Sequence, residues 1–303
     1  MHIFSKTHQV LCINELLDLI ADALSPKDQL QMALTCRALY GPMLDRNWKQ
    51  IPSVARLIRC LPKDVIHHTT GEQGLFQVNI VKPLEPHHWE RLQHYARCVK
   101  AVNQSKNDVH PNVWLMLRRD YPGEHMFPRL QRVYTTCPNA LAYLGKAPMV
   151  RVLAFNMWPV TSEPQLEFPV LSSKGPSLDD FWSFTLTARI PPGLHLDDIV
   201  RSCCHLTELD LPSFLNPETL VHLSRLPSLT HLGFYLGNEN YDSLDSATDA
   251  TVFGRLKSLR VHARDSSQLI KWLSSVTLLS LTSAKLKLSL LSLYRRNKRN
   301  KLP

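Results

Sequence analysis

Apolar residues near the start of the chain recur at helical intervals. Ile13, Leu16, Leu17, Ile20 and Leu24 fall at i, i+3, i+4, i+7 and i+11, with Glu15, Asp18 and Asp22 on the other faces, a spacing that gathers the apolar positions on one side of an α-helix. Ser25-Pro26 breaks that run and starts a second helix. A serine oxygen accepts from a free backbone N–H, proline suits the first helical position, and Asp28 sits in the electropositive first turn. Leu30, Ala33, Leu34 and Ala38 form the predicted apolar face of this second helix, which Gly41-Pro42 is expected to stop. A third segment carries Leu44, Trp48 and Ile51 at i, i+4 and i+7 and ends at Pro52. A fourth, opened by Ser53, turns Val54, Leu57, Ile58 and Leu61 inward before Pro62. Residues 8–62 therefore read as a small all-α module with more apolar surface than it can bury alone, and that surplus marks it as a docking piece.

The pattern then changes. Residues 63–126 read as a connector holding one strand, Leu75 to Ile80, where alternation has period two, and one helix whose Trp89, Leu92, Ala96 and Val99 form a seam. From 127 to 284 a motif of apolar-x-x-apolar-x-apolar recurs: Leu130/Val133, Val150/Leu153/Phe155, Phe181/Phe184/Leu186, Leu206/Leu209/Leu211, Leu229/Leu232/Phe234, Leu256/Leu259/Val261 and Val276/Leu279/Leu281. Most starts lie 20 to 27 residues apart, within the period of leucine-rich repeats, and the longest interval holds Pro159, Pro164, Pro169 and Pro176, as a loop insertion would. Between the sharpest pair, Pro217 to Leu226 has the spacing of a covering helix. A strand-plus-helix unit of this kind cannot bury its apolar face alone, so units stack. The expected fold is an α+β or α/β solenoid: a small N-terminal all-α module followed by an irregular leucine-rich-repeat array with a parallel concave sheet. Residues between the pattern leucines would face outward for a partner: Arg132, Arg151, Ala154, Glu208, Asp210, His231, Gly233 and Arg260, with Phe234 to Glu239 on the following loop. The charged and His members of that set are the candidate substrate-binding residues.

Composition adds exclusions. With 44% hydrophobic and 20% charged residues in 303, the chain belongs with folded globular proteins and not with disordered ones. No apolar run nears the ~20 residues of a bilayer crossing, and the N-terminus lacks the basic start and cleavage site of a secretory signal, which points to the cytoplasm or nucleus. Seven scattered cysteines, an odd number, suit free thiols in a reducing compartment. The formal charge of +9 resides almost wholly in eight Lys/Arg from Lys271 to Lys301, a stretch without acids after Ser266, so the remaining body is nearly neutral. A nucleic-acid-binding body would spread basic groups over a face, and nucleic acid is disfavoured as a partner. The segment 285–303 departs from the repeat and ends in a basic cluster without a polar capping repeat, which suggests a truncated or misread terminus over an import signal or membrane strip.

Chemistry motifs are lacking. His67-His68, His87-His88, His94 and Cys98 carry neither a CxxC pair nor HExxH spacing, so they read as solvated histidines and no metal is expected. Cys203-Cys204 are adjacent, a poor arrangement for an unstrained disulfide, and read as packed or idle thiols. Asp179-Asp180 and Asp197-Asp198 read as helix caps, and Trp158 and Trp182 as core. There is no GxSxG, Walker loop or GxGxxG; no cofactor and no enzyme activity are expected.

The N-terminal run resembles an F-box. The family's Leu-Pro-x-Glu-Leu-Leu-x-x-Ile opening is matched by Ile13-Asn14-Glu15-Leu16-Leu17-Asp18-Leu19-Ile20, shifted by one, and Cys36, Arg37 and Ala38 fit its Cys-Arg-Ala-Trp pattern. Asn14 stands where the family has proline and Leu39 where it has tryptophan. Pro83-Leu84-Glu85-Pro86 through Trp89, Arg91-Leu92, Tyr95-Ala96 and Val99 resembles the segment that follows the F-box in the large fungal-type family with a C-terminal leucine-rich-repeat region. The resemblance implies a substrate-receptor subunit of a Skp–cullin–F-box ubiquitin ligase. Ile13, Leu16, Leu17, Ile20, Leu30, Leu34 and Leu39 would contact the Skp-type adaptor and through it a cullin, and the repeats would hold a protein substrate. The alternative is a non-catalytic repeat scaffold with a vestigial F-box. On the first reading, replacing Leu16 and Leu17 by Asp should abolish adaptor binding and leave the repeats folded.

Overall fold

The computed structural model describes residues 14–35, 37–70, 76–104, 107–155, 196–236, 251–263 and 266–288. The chain divides into two compact units, 1–132 with 147–149 and 133–146 with 150–303. Ile13, the Phe181 repeat, Pro159 to Pro176, Trp158, Trp182, Asp179-Asp180, residues 237–239 and most of the basic tail lie outside the described residues.

Among the described residues, the first unit opens with four helices: α1 (Asn14–Ala23), α2 (Pro26–Ala33), α3 (Arg37–Trp48) and α4 (Val54–Ile58). Ser25 caps α2 as its sequence requires, its Oγ accepting from the Asp28 N–H at 3.2 Å. Leu17, Ala21, Ala33, Leu39 and Met43 close a small core, with Met32 packed against it. Two expectations change. First, α3 runs through Gly41-Pro42 instead of ending there. Pro42 deletes a single helical N–H, and the shared burial of Leu39, Met43, Leu44 and Trp48 holds the turns on either side of it. Second, α2 turns Gln29 and Ala33 inward and leaves Leu30, Leu34 and, on α3, Ala38 exposed. Gln29 donates its side-chain amide to the Ala21 carbonyl at 2.8 Å, which also accepts the Leu24 N–H at 3.2 Å, so the buried amide finds its partner at the end of α1. That polar requirement decides which way the helix faces.

Ser53 caps α4 by accepting from the Ala55 N–H at 2.9 Å and donates to Asp108 at 2.6 Å, while the Val54 N–H donates to Gln104 at 2.8 Å. A short parallel pair, β1 (Gln50–Ile51) with β4 (Ala101–Gln104), runs alongside. The predicted strand forms as β3 (Phe76–Ile80), but it pairs antiparallel with β2 (Ile66–Thr70), a stretch whose histidines had suggested only a connector. The Trp89 seam is inward on α5 (Pro86–Ala96), with Leu92, Ala96 and Val99 at 0% exposure. Pro111 starts α6 (Pro111–Asp120). Trp48 packs on Tyr95 at 4.6 Å between ring centroids and carries the Arg56 guanidinium 4.8 Å above it.

The second unit alternates strands and helices: β5 (Arg132–Thr135), α7 (Pro138–Leu144), β6 (Val152–Phe155), α8 (Leu196–Ser202), β7 (Glu208–Phe214), α9 (Pro217–Ser224), β8 (His231–Leu236), β9 (Thr251–Phe253), β10 (Ser258–Ala263), α10 (Ser266–Ser275), β11 (Val276–Leu278) and β12 (Ser283–Leu288). The sheet order is β5-β6-β7-β8-β10-β12, and β6 to β12 pair in parallel. A separate parallel pair joins β9 and β11. This is the alternating architecture of a repeat solenoid.

The pattern residues build its core. Leu206, Leu209, Leu211, Leu229, Leu232, Phe234, Leu256, Leu259 and Val261 are all 2% exposed or less. Phe234 meets Trp272 of α10 edge to face at 5.3 Å. Each repeat is locked to the one before it by a forked hydrogen bond: Thr207 and Glu208 N–H to the Arg151 carbonyl, Thr230 and His231 to Thr207, Lys257 and Ser258 to Thr230, and Thr282 and Ser283 to Lys257. The hydroxyls of Thr207, Thr230 and Thr282 donate to the same carbonyls at 3.1, 3.0 and 2.9 Å.

The last repeat is therefore displaced from Val276/Leu279/Leu281. Leu279 is 68% exposed, Val276 lies in the side pair with β9, and the ladder resumes at Leu281-Thr282, in line with Leu206-Thr207 and Leu229-Thr230. Leu256 to Leu281 is 25 residues, inside the repeat period. The sheet consequently extends to Leu288, into the basic segment. Among the described residues no helix is long and apolar enough to cross a membrane.

Candidate functional site

Two surfaces, one in each unit, gather the residues that the sequence singles out. The first lies on α1 and α2. Leu17 and Leu39 are 3% and 4% exposed inside the helical core, whereas Leu16, Ile20, Leu30 and Leu34 are 37%, 38%, 50% and 74% exposed. Leu19, absent from the expected set, is 67% exposed. Leu16, Leu19 and Ile20 stand at i, i+3 and i+4, a stripe beside the inward Leu17–Ala21 stripe; that three-residue step from Leu16 was the signal available in the sequence. Ion pairs of Arg46 with Asp22 and Asp18 tie α1 to α3, so these leucines stay outward on a helix held in place from its other side. Leu16, Leu19 and Ile20 share one face of α1, and exposed apolar side chains grouped in this way mark an interaction surface more readily than scattered ones do.

The second surface is the sheet face away from the packed leucines. Parallel pairing aligns Glu208, His231, Ser258 and Ser283 in one row and Ala154, Asp210, Gly233, Arg260 and Lys285 in the next. Glu208, His231 and Arg260 are exposed and Asp210 is half-buried. Arg260 Nη1 donates to Asp210 Oδ2 at 2.6 Å, although β8 stands between their strands. Gly233 makes this reach possible: a Cβ there would lie 3.0 Å from Asp210 Cγ and closer still to its Oδ1. The glycine itself is buried beneath the bridge, not displayed.

Next to this bridge, Tyr235 and His262 stack with ring centroids 4.7 Å apart and planes at 26°. Burial, and then the Asp210 carboxylate, push the Tyr235 hydroxyl above its ordinary pKa. Neither residue was in the expected set. Their signal was the continuation of the alternation for one more step, Leu232-x-Phe234-x-Leu236 beside Leu259-x-Val261-x-Ala263. By the same alternation Phe234 is core, 1% exposed, and not part of an outward loop. Arg132 and Arg151 are exposed but stand apart from these rows. Arg132 begins β5 and belongs to the first unit; Arg151 precedes β6, where strand alternation has not yet begun, and Val152 and Ala154 take the positions facing Glu208 and Asp210.

Other candidates resolve into structure. His88 is a buried capping residue whose Nδ1 accepts from the Glu85 N–H at 3.1 Å, not a solvated histidine; His67 and His68 are exposed on β2. A cleft of about 450 Å³ lies between α5 and the segment from Tyr121 to Pro128. Its Gln93 and Tyr121 are hydrogen-bonded to each other at 3.2 Å, and burial, then Arg97, lower the pKa of His94. Burial pushes the Cys203 thiol up to about 11 and Cys98 up to about 12. Cys203 donates to the carbonyls of Gly145 and Ile199, both at 3.2 Å, while Cys204 is exposed. Among the described residues no group of three or more His, Cys, Asp or Glu could hold a metal ion. No protein-family model matches the chain, and no curated protein matches it.

Proposed function

We propose that the chain is a substrate-receptor subunit of a Skp–cullin–F-box type ubiquitin ligase. The N-terminal helices dock a Skp-type adaptor and through it a cullin. The sheet face of the repeats holds a protein substrate. The chain supplies no acid, base or nucleophile of its own; it acts by placing the substrate beside a ubiquitin-charged enzyme, so that a bimolecular transfer becomes a local one.

The observation that carries this reading is the set of exposed apolar side chains, Leu16, Leu19 and Ile20 on α1 and Leu30 and Leu34 on and just after α2, on a module whose Leu17, Ala21, Ala33, Leu39 and Met43 already form a closed core. An F-box needs such a division, with one set of leucines to fold it and another to dock it. The same division picks the experiment. Leu16→Asp with Leu17→Asp would place a carboxylate in the core and confuse folding with docking, so the informative variant is Leu30→Asp with Leu34→Asp. Tagged full-length chain should recover the Skp-type adaptor and a cullin from cells, and this double variant should lose both while keeping the wild-type unfolding midpoint. Adaptor recovery at the wild-type level from the folded variant would defeat the proposal.

A further inference from the structure

We propose that the open face of β10 and β12 binds an acidic segment of a protein partner, and that Asp210 occupies Arg260 until the partner's carboxylates displace it. The inference rests on the repeat sheet being the partner-binding surface and is independent of adaptor docking.

Arg260 of β10 is directly opposite Lys285 of β12, and the register continues with His262 opposite Lys287. Neighbouring strands are about 4.8 Å apart, and like charges directly opposite one another repel. The acids of this face lie at its other end: Glu208 and Asp210 on β7 align across β8 with Ser258 and Arg260. Asp210 crosses the gap above Gly233 to reach Arg260 at 2.6 Å. Arg260 thus draws its paired carboxylate from two strands away.

This pairing is suited to exchange. The two side chains are 49% and 41% exposed, a setting in which ion pairs contribute little. Arg260 gives Nη1 to Asp210, and a guanidinium has five N–H donors in a planar fork, so an incoming carboxylate can engage Arg260 and Lys285 before Asp210 leaves. A short acidic segment can keep to β10 and β12 and stay clear of the acids of β7, which a long phosphate backbone crossing the face would meet.

The test is fluorescence anisotropy with fluorescein-labelled hexaglutamate at low ionic strength. Full-length chain is used with Arg295, Arg296, Lys298, Arg299 and Lys301 changed to Ser, so that the terminal basic cluster does not contribute. Arg260→Ala with Lys285→Ala should weaken binding about tenfold, the loss expected for charge-assisted contacts, and Asp210→Asn should tighten it about two- to fivefold by removing the competitor. Unchanged affinity in the double variant, no tightening in Asp210→Asn, or a single-stranded oligonucleotide that outcompetes hexaglutamate would each overturn the proposal. Adaptor recovery measured on the same variants should not change, and Leu30→Asp with Leu34→Asp should leave hexaglutamate affinity unaltered, which separates failure of this site from failure of docking.

Discussion

Replacing Gly233 by Ala sets two effects of similar size against each other. The added methyl would occupy the space through which Asp210 reaches Arg260, so the bridge should break. A half-exposed ion pair contributes about 0–1 kcal/mol. Glycine in a strand interior is itself less stable than alanine by roughly 0.5–1 kcal/mol. The obstructing atoms belong to the end of a carboxylate side chain that can rotate toward solvent, and Arg260 Cβ stays at an ordinary 3.6 Å. The net change should therefore fall within about 0.5 kcal/mol of zero, despite a contact that looks prohibitive. Urea unfolding of the full chain measures it. A double-mutant cycle with Arg260→Ala isolates the bridge: the cost of Arg260→Ala in the wild-type background should largely vanish when residue 233 is alanine. A loss above about 2 kcal/mol for Gly233→Ala, the size associated with overpacking, would refute the reasoning and show that Asp210 cannot move aside.

Two further outcomes follow from buried groups. Ser53→Ala removes the cap of α4 and leaves Asp108 without its 2.6 Å partner, so the urea midpoint should fall by an amount equivalent to about 1–3 kcal/mol; no change would mean that water replaces the hydroxyl at no cost. In native chain at pH 8, Cys204 should react with a thiol reagent before Cys98 and Cys203, whose raised pKa values of about 12 and 11 keep the nucleophilic thiolate scarce. Peptide mapping of the alkylated chain reads the order. Because both folded pKa values exceed the unfolded one, stability from these thiols is present below pH ~9 and declines as pH rises through 11 to 12.

Much of this fold was legible because apolar spacing is a direct record of burial. Leu206 to Leu211 and Leu229 to Phe234 face the core as their pattern requires, and Ser25 and Asn216 cap helices with side-chain acceptors, as their residue types favour. What periodicity could not show was the demand of individual polar groups. Leu30 and Leu34 read as inward because they are leucines; they are outward because α2 turns Gln29 in, where its amide bonds the Ala21 carbonyl. Pro42 read as a stop because it lacks an N–H, yet one missing bond does not outweigh four buried side chains. The last repeat was misplaced by taking leucines alone as the marker. The threonine after the first leucine, which hydrogen-bonds backward in three repeats, would have fixed it at Leu281. Asp210, Arg260 and His231 were identified from their positions between leucines, but the link between Asp210 and Arg260 depends on a glycine two strands' alignment away, and no local window contains all three.

Strand β12 is the last in the sheet order, and its outer edge is where another β-strand would add. An uncovered strand edge is a template that invites self-association. Here the strand reads Ser-Ala-Lys-Leu-Lys-Leu, with lysines at positions 285 and 287. Bringing two such edges together would set these cations against their own copies before any backbone hydrogen bond formed. The residues that make this face receptive to an acidic stranger also make it a poor match for itself, so growth of the sheet from one molecule to the next is discouraged by the same charges.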